Sequence, residues 1–210
     1  MMRIVKEYDE RRNEIIDTAK KLFITKGYNK SSVNDILNEI GIAKGTFYYY
    51  FASKEEVLDA IIYQTTDIIV SRLEAICEDQ TMSCDEKLLT AFEALNVEEQ
   101  GGTELLNEIH KPENAMMHQK SLTSMVILLT PLFQKIIESG IEAGEYKCEY
   151  PKEYMQLFLS SSFTLLDDGI FSNNEIEKPK LLKAMITMLE SMLHVEAGHF
   201  LHAYQTFRQN

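Results

Sequence analysis

Apolar residues recur along this chain at intervals of three and four, the spacing of one helical face. With only four prolines and nine glycines in 210 residues, the pattern predicts an all-α protein. Ile15, Ile16, Ala19, Leu22 and Phe23 share one stripe of a first helix over about residues 10–26, and Gly27 ends it. Ser31 or Ser32 caps a second helix, whose Val33, Ile36, Leu37 and Ile40 line one face. Gly41 supplies a left-handed turn residue, Ile42 returns to the core, and a third short helix covers about residues 43–50. Ser53 caps a long fourth helix to about Ile76. Ser53 and Glu56 have the spacing of a capping box, and Glu55 and Glu56 sit at the helix's positive end.

Beyond Ile76 the signals are coarser. Helices are expected over 84–97, over 104–117 with an interruption near Pro112, and over 121–143, where Pro131 should kink the chain. Gly101 and Gly102 break the first two apart. Pro151 opens a helix to about Leu166, a polar loop covers 171–177, and Pro179 opens another helix to about His194. A short last helix reaches about Phe207. The boundary expected between the two domains lies at residue 54, giving 1–54 and 55–210.

Two short helices joined by a tight glycine turn match a helix-turn-helix, whose second helix enters a DNA major groove. The overall charge of −12 argues the other way. It is unevenly distributed, however. Residues 1–54 carry ten Lys or Arg against seven Asp or Glu, a net of +3, and the rest carry eleven against 26, a net of −15. Such a chain would meet DNA end-on, with its acidic part turned away.

In the third helix Phe47 and Phe51 are four apart and should face inward. Lys44, Thr46, Tyr48 and Tyr49 then fall on the exposed side, and Gly45 lets the backbone approach a duplex. Lys44 can bond guanine O6/N7 or neutralise a phosphate, and Thr46 can meet a thymine methyl or a phosphate. Tyr48 and Tyr49 offer hydroxyls to phosphate. Lys54 adds a cation beside the free N–H groups of the fourth helix. Ser32 and Lys30 are lesser phosphate candidates.

Residues 10–57 also resemble the DNA-binding domain of TetR/AcrR-type transcriptional regulators. The resemblance is carried by Ile16, Ala19, Leu22, Phe23, Gly27-Tyr28, Ser32-Val33, Ile36, Gly41-Ile42, the run Lys44 to Phe51, and Lys54-Glu55. It implies an all-α homodimer: an N-terminal three-helix DNA-binding domain followed by a helical ligand-binding and dimerisation domain. It also implies that Thr46, Tyr48, Tyr49 and Lys54 lie at the DNA, with Lys44 and Gly45 nearest the bases. Ala43 stands where many relatives carry Ser, and Tyr50 where His is frequent.

Further along, Tyr154, Leu157, Phe158, Ser161 and Leu165 form one apolar row. Leu181, Ala184, Met185, Met188, Leu189 and Met192 form another. These helices, about 152–166 and 179–194, either pack only within the monomer or, as the resemblance implies, form the homodimer interface. An effector, apolar or amphipathic, would lie between helices. Its candidate lining is Met116, Met117, Met125, Phe133, Phe158 and Phe163, with His110, Asn114 and His118 as polar groups four apart. No metal set is expected, because no carboxylate or cysteine completes His110/His118 or His194/His199/His202 at ligand spacing.

Cys77, Cys84 and Cys148 form no CxxC pair, which fits a reducing cytoplasm. No signal peptide, run of about 18 apolar residues, nucleotide fingerprint or catalytic motif is present. The expectation is a cytoplasmic, non-enzymatic regulator without a cofactor or membrane contact, bound to an operator in double-stranded DNA. The rival readings are a helical small-molecule binder and an architectural DNA binder.

Overall fold

The computed structural model describes residues 2–95, 110–171 and 176–207. The elements are α1 (Met2–Lys26), α2 (Val33–Ile40), α3 (Lys44–Tyr50), α4 (Lys54–Glu78), α5 (Cys84–Ala94), a single 3-10 turn (Pro112–Asn114), α6 (Ala115–Glu142), α7 (Pro151–Leu165), α8 (Lys178–Leu193) and α9 (His199–Phe207). No strand occurs among the described residues. The chain divides into two compact units. One takes residues up to Thr66 together with the stretch ending at Ser121, and the other runs from Asp67 and resumes at Leu122.

The first unit is organised by local stop and start signals. Ser32 is the N-cap of α2: its Oγ accepts the Asp35 N–H at 3.2 Å, and Asp35 Oδ2 accepts the Ser32 N–H at 2.7 Å. Ser31 has a different task. It is buried, and its hydroxyl donates to the Gly27 carbonyl at 2.8 Å. Gly41 closes α2 with φ 78°, and its N–H reaches Leu37 O at 2.9 Å. Ile15, Ile16, Ala19 and Phe23 from α1 meet Ile36, Leu37, Phe47, Phe51, Val57, Leu58, Ile61 and Ile62 in one core. Met117, from the first turn of α6, completes it. Helix α1 begins at Met2, earlier than expected, because nothing in its first residues stops a helix.

In the second unit, long helices share a core that includes Leu73, Leu88, Leu129, Phe133, Ile136, Met155, Leu159 and Leu189. Helix α6 is one uninterrupted helix through Pro131, which is exposed. It starts six residues before the sequence predicted, because Pro112 falls ahead of it in the 3-10 turn. By length and composition α6 could cross a membrane, but its Leu129, Phe133, Ile136 and Ile137 are buried in this core. The expected helix over 104–117 falls partly outside the described residues. Lys87 is buried and donates to the Cys77 carbonyl at 3.1 Å, satisfying an end-of-helix acceptor of α4. The start of α9 is fixed by Glu190, 4% exposed, whose two carboxylate oxygens accept the Gly198 and Phe200 N–H groups.

Candidate nucleic-acid interface

Helix α3 is positioned by its inward side. Phe47 is wholly buried and Phe51 nearly so, their rings 6.1 Å apart. With those two anchored, the helical period leaves Lys44, Gly45, Tyr48 and Tyr49 outside. Tyr49 is 71% exposed and Tyr48 47%, so both hydroxyls can reach a partner beyond the chain. Thr46 is half-buried. Lys44 Nζ lies 5.8 Å from the Tyr48 ring, a loose cation–π contact that leaves its hydrogens available. Ala43 is the N-cap and, lacking a side-chain donor or acceptor, makes no capping bond. Among the described residues, nothing beyond its own helix backbone and chain neighbours lies within 4 Å of where a Gly45 Cβ would be.

The Tyr48–Tyr50 run does not act as a unit. Tyr50 turns inward, its ring 4.8 Å from Tyr8, which also stands 5.8 Å from Tyr49 in an edge contact. Tyr8 was missed in the sequence, although it lies seven residues before Ile15 on the same α1 stripe. Arg12, between them on that stripe, holds its guanidinium 5.1 Å from the Phe51 ring centre.

Lys54 is more constrained than an exposed phosphate ligand. Its Nζ donates to the carbonyls of Tyr28 at 2.7 Å and Ser31 at 2.9 Å, and sits 4.0 Å from the Tyr28 ring centre. Burial pushes its ammonium pKa down. Two of its three N–H groups are thus used to pin the loop between α1 and α2. The Tyr28 N–H on the other side of that loop donates to Asn114 Oδ1 at 3.0 Å. At the start of α4, Ser53 Oγ accepts the Glu56 N–H, and Glu56 reaches back to Ala52 rather than to Ser53. The Ser32 hydroxyl hydrogen points at Asp35 Oδ2, 2.7 Å away. Lys26, 2.8 Å from Asp35, and the two Ser32 bonds hold that carboxyl down at about 2.

The nine candidate effector contacts divide between the units. Asn114 is 1% exposed and bonded to Tyr28, Met117 is in the first unit's core, and the rings of His110 and His118 lie 4.9 Å apart, tilted by 52°. Met116 is exposed. In the second unit, Phe133 and Phe158 are buried on either side of Phe92, at 4.8 and 5.3 Å, with Met125 and Phe163 half-buried against the same core. Phe92 has no helical-spacing signal of its own beyond the α5 stripe. On α7 and α8 the expected rows split. Phe158, Met185 and Leu189 face the core, whereas Leu157 at 66% exposure, Leu182, Ile186 and Met188 face outward. Leu182 and Ile186 lay outside the expected row, because that row followed the core-facing stripe.

Residues 15–61 match the family described as bacterial regulatory proteins of the tetR family. Residues 98–186 match a tetracyclin repressor-like C-terminal domain. The chain is 26% identical over 175 residues to an uncharacterized HTH-type transcriptional regulator, YfiR of Bacillus subtilis (strain 168), covering 81% of this chain and 83% of that one. It is 25% identical to the HTH-type transcriptional repressor KstR2 of Rhodococcus jostii (strain RHA1), over 71% and 74% of the two chains. Among solved structures, the transcriptional regulator FadR from Bacillus subtilis in complex with stearoyl-CoA has the same fold. Its TM-score is 0.56 at 21% identity, covering 86% of this chain and 96% of that one.

Proposed function

The chain belongs to the TetR family of bacterial regulatory proteins, and from that premise we propose that it is a cytoplasmic repressor released from its operator by a small molecule. The observation that carries this reading is the outward face of α3. Lys44, Gly45, Tyr48 and Tyr49 are exposed on a helix clamped from behind by Phe47 and Phe51. Lys44 reads a base edge at the helix start, Gly45 lets the backbone close on the duplex, and Thr46, Tyr48 and Tyr49 bond phosphate. Lys54 acts mainly by holding the α1–α2 loop, and so Ser32, against the duplex, with one N–H left for a phosphate. In this reading the first unit, which continues past residue 54 to Thr66, meets DNA, and the second unit senses.

The protein works as a homodimer through α7 and α8, with Leu157, Leu182 and Ile186 covered by the partner. Two α3 helices then enter successive major grooves about 34–36 Å apart on a roughly palindromic site. The effector is apolar or amphipathic, in keeping with the methionines and phenylalanines of the second unit and with the stearoyl-CoA bound by FadR. Binding that favours the DNA-incompetent state by about 1–3 kcal/mol lowers operator affinity about 5–150-fold. Selection from random duplexes tests the reading. A two-fold consensus that survives excess nonspecific DNA is expected, and enrichment of no sequence would refute it.

A further inference from the structure

Along the chain the carboxylate nearest His199 and His202 is Glu196, but the fold brings another from 114 residues away. Helix α9 packs on α5, and Asp85, in the first turn of α5, meets the His199 ring. Its Oδ2 lies 2.9 Å and its Oδ1 3.0 Å from Nε2. The geometry points to a binding site for a divalent first-row transition cation built from Asp85, His199 and His202.

Four features support a site rather than a plain ion pair. First, the two facing atoms share a proton that a cation can replace: the 2.9 Å contact is a hydrogen bond, and parting the donors to about 3.3 Å gives the edge of a tetrahedral zinc shell. Second, the carboxylate is oriented from behind. The Tyr146 hydroxyl, on a side chain 2% exposed, donates to Asp85 Oδ1 at 2.6 Å, leaving Oδ2 for a metal in the way outer-shell bonds fix metal ligands. Third, the histidine is held by its helix start, which both oxygens of buried Glu190 anchor through Gly198 and Phe200. Fourth, there is room and a third donor. His199 and His202, three apart on α9, line the same cavity of about 490 Å³ with Asp85, Glu86 and Glu196.

His202 is exposed and turns inward by a rotamer change, so two donors are preset and one is recruited. The hydrogen on His199 Nε2 moves to Nδ1 when the ring becomes a ligand, since only an unprotonated nitrogen binds. Two imidazoles and one carboxylate favour zinc or nickel over magnesium.

The test uses the full chain, stripped with EDTA and titrated with Zn²⁺ against a chromophoric chelator. One zinc per chain is expected, with no competition from Mg²⁺. Asp85→Asn, His199→Ala and His202→Ala should each weaken it at least about tenfold, and Tyr146→Phe, which keeps the ring, by about tenfold. His194→Ala should leave it unchanged, because His194 Nδ1 is bonded to Lys147 O at 2.9 Å outside the cavity. Imidazole ¹⁵N spectra of the unaltered protein avoid any dependence on variant folding: the His199 and His202 nitrogens should shift with zinc. Zinc that fails to bind, binds equally well to Asp85→Asn and His199→Ala, or moves neither ring's signals overturns the site.

Discussion

Gly45 and Gly140 are both helical glycines without a left-handed backbone, and they contrast the two units of this protein. A Cβ at Gly140 would lie 2.2 Å and 2.5 Å from carbons of the Tyr146 ring. A Cβ at Gly45 would meet nothing within 4 Å among the described residues outside its own helix backbone. The second unit keeps its glycine because the protein's own interior fills the space. The first unit has one facing open solvent, where the chain itself makes no demand. In the proposed function that demand comes from DNA. The structure of the second unit is thus explained by its own packing, whereas the surface of the first makes full sense only with a partner.

The largest expected effect is that of Gly140→Ala. Alanine gains about 1 kcal/mol of helix propensity, but displacing a buried ring whose hydroxyl is bonded to Asp85 costs about 4 kcal/mol, above the usual overpacking range. Chemical denaturation should report a net loss of about 3 kcal/mol. Unchanged stability would mean that Tyr146 does not occupy that space. Next comes Lys54→Met, which keeps the stem and removes both carbonyl contacts. A loss of about 2 kcal/mol in the first unit is expected, with operator affinity falling too. Weaker DNA binding at full stability would instead make Lys54 a simple phosphate ligand.

Gly45→Ala sharpens the contrast. It should stabilise the fold by about 0.5–1 kcal/mol while weakening operator binding about tenfold, a reversal absent at Gly140. Equal DNA affinity in an electrophoretic or anisotropy titration would remove Gly45 from the interface. The smallest effect concerns Asp35, whose folded pKa is about 2 against 3.8. A depressed carboxyl pKa contributes stability above the unfolded value, which is lost as pH falls through the folded one. The α2 cap should therefore weaken between about pH 4 and pH 2. NMR titration of the Asp35 carboxyl should find its midpoint near 2, and Lys26→Met should raise it.

The first unit was legible in the sequence because its signals are local. Gly27, Ser32 with Asp35, Gly41 and Ser53 each act within about four residues, and the apolar stripes of α1 to α4 fall in register between them. What was missed there is long-range: Asn114 gripping Tyr28, 86 residues away, and Met117 entering that core. Periodicity cannot state which distant segment fills a gap. The second unit was legible only as helices. Long apolar stripes identify a buried face but do not separate core from interface, so Met185 and Leu189 were grouped with Met188, and the outward Leu182 and Ile186 were overlooked. Asp85 and His199 meet only through the fold, which no local spacing anticipates.

The central claim is that the exposed start of α3 reads sequence, and repeating the random-duplex selection with Lys44→Ala tests it most directly. Loss of a bidentate contact to guanine should relax or change the preferred base at one position in each half-site, at a cost of about 1–3 kcal/mol there, with the other positions intact. An identical consensus from Lys44→Ala and the unaltered protein would contradict the assignment of this face to the bases.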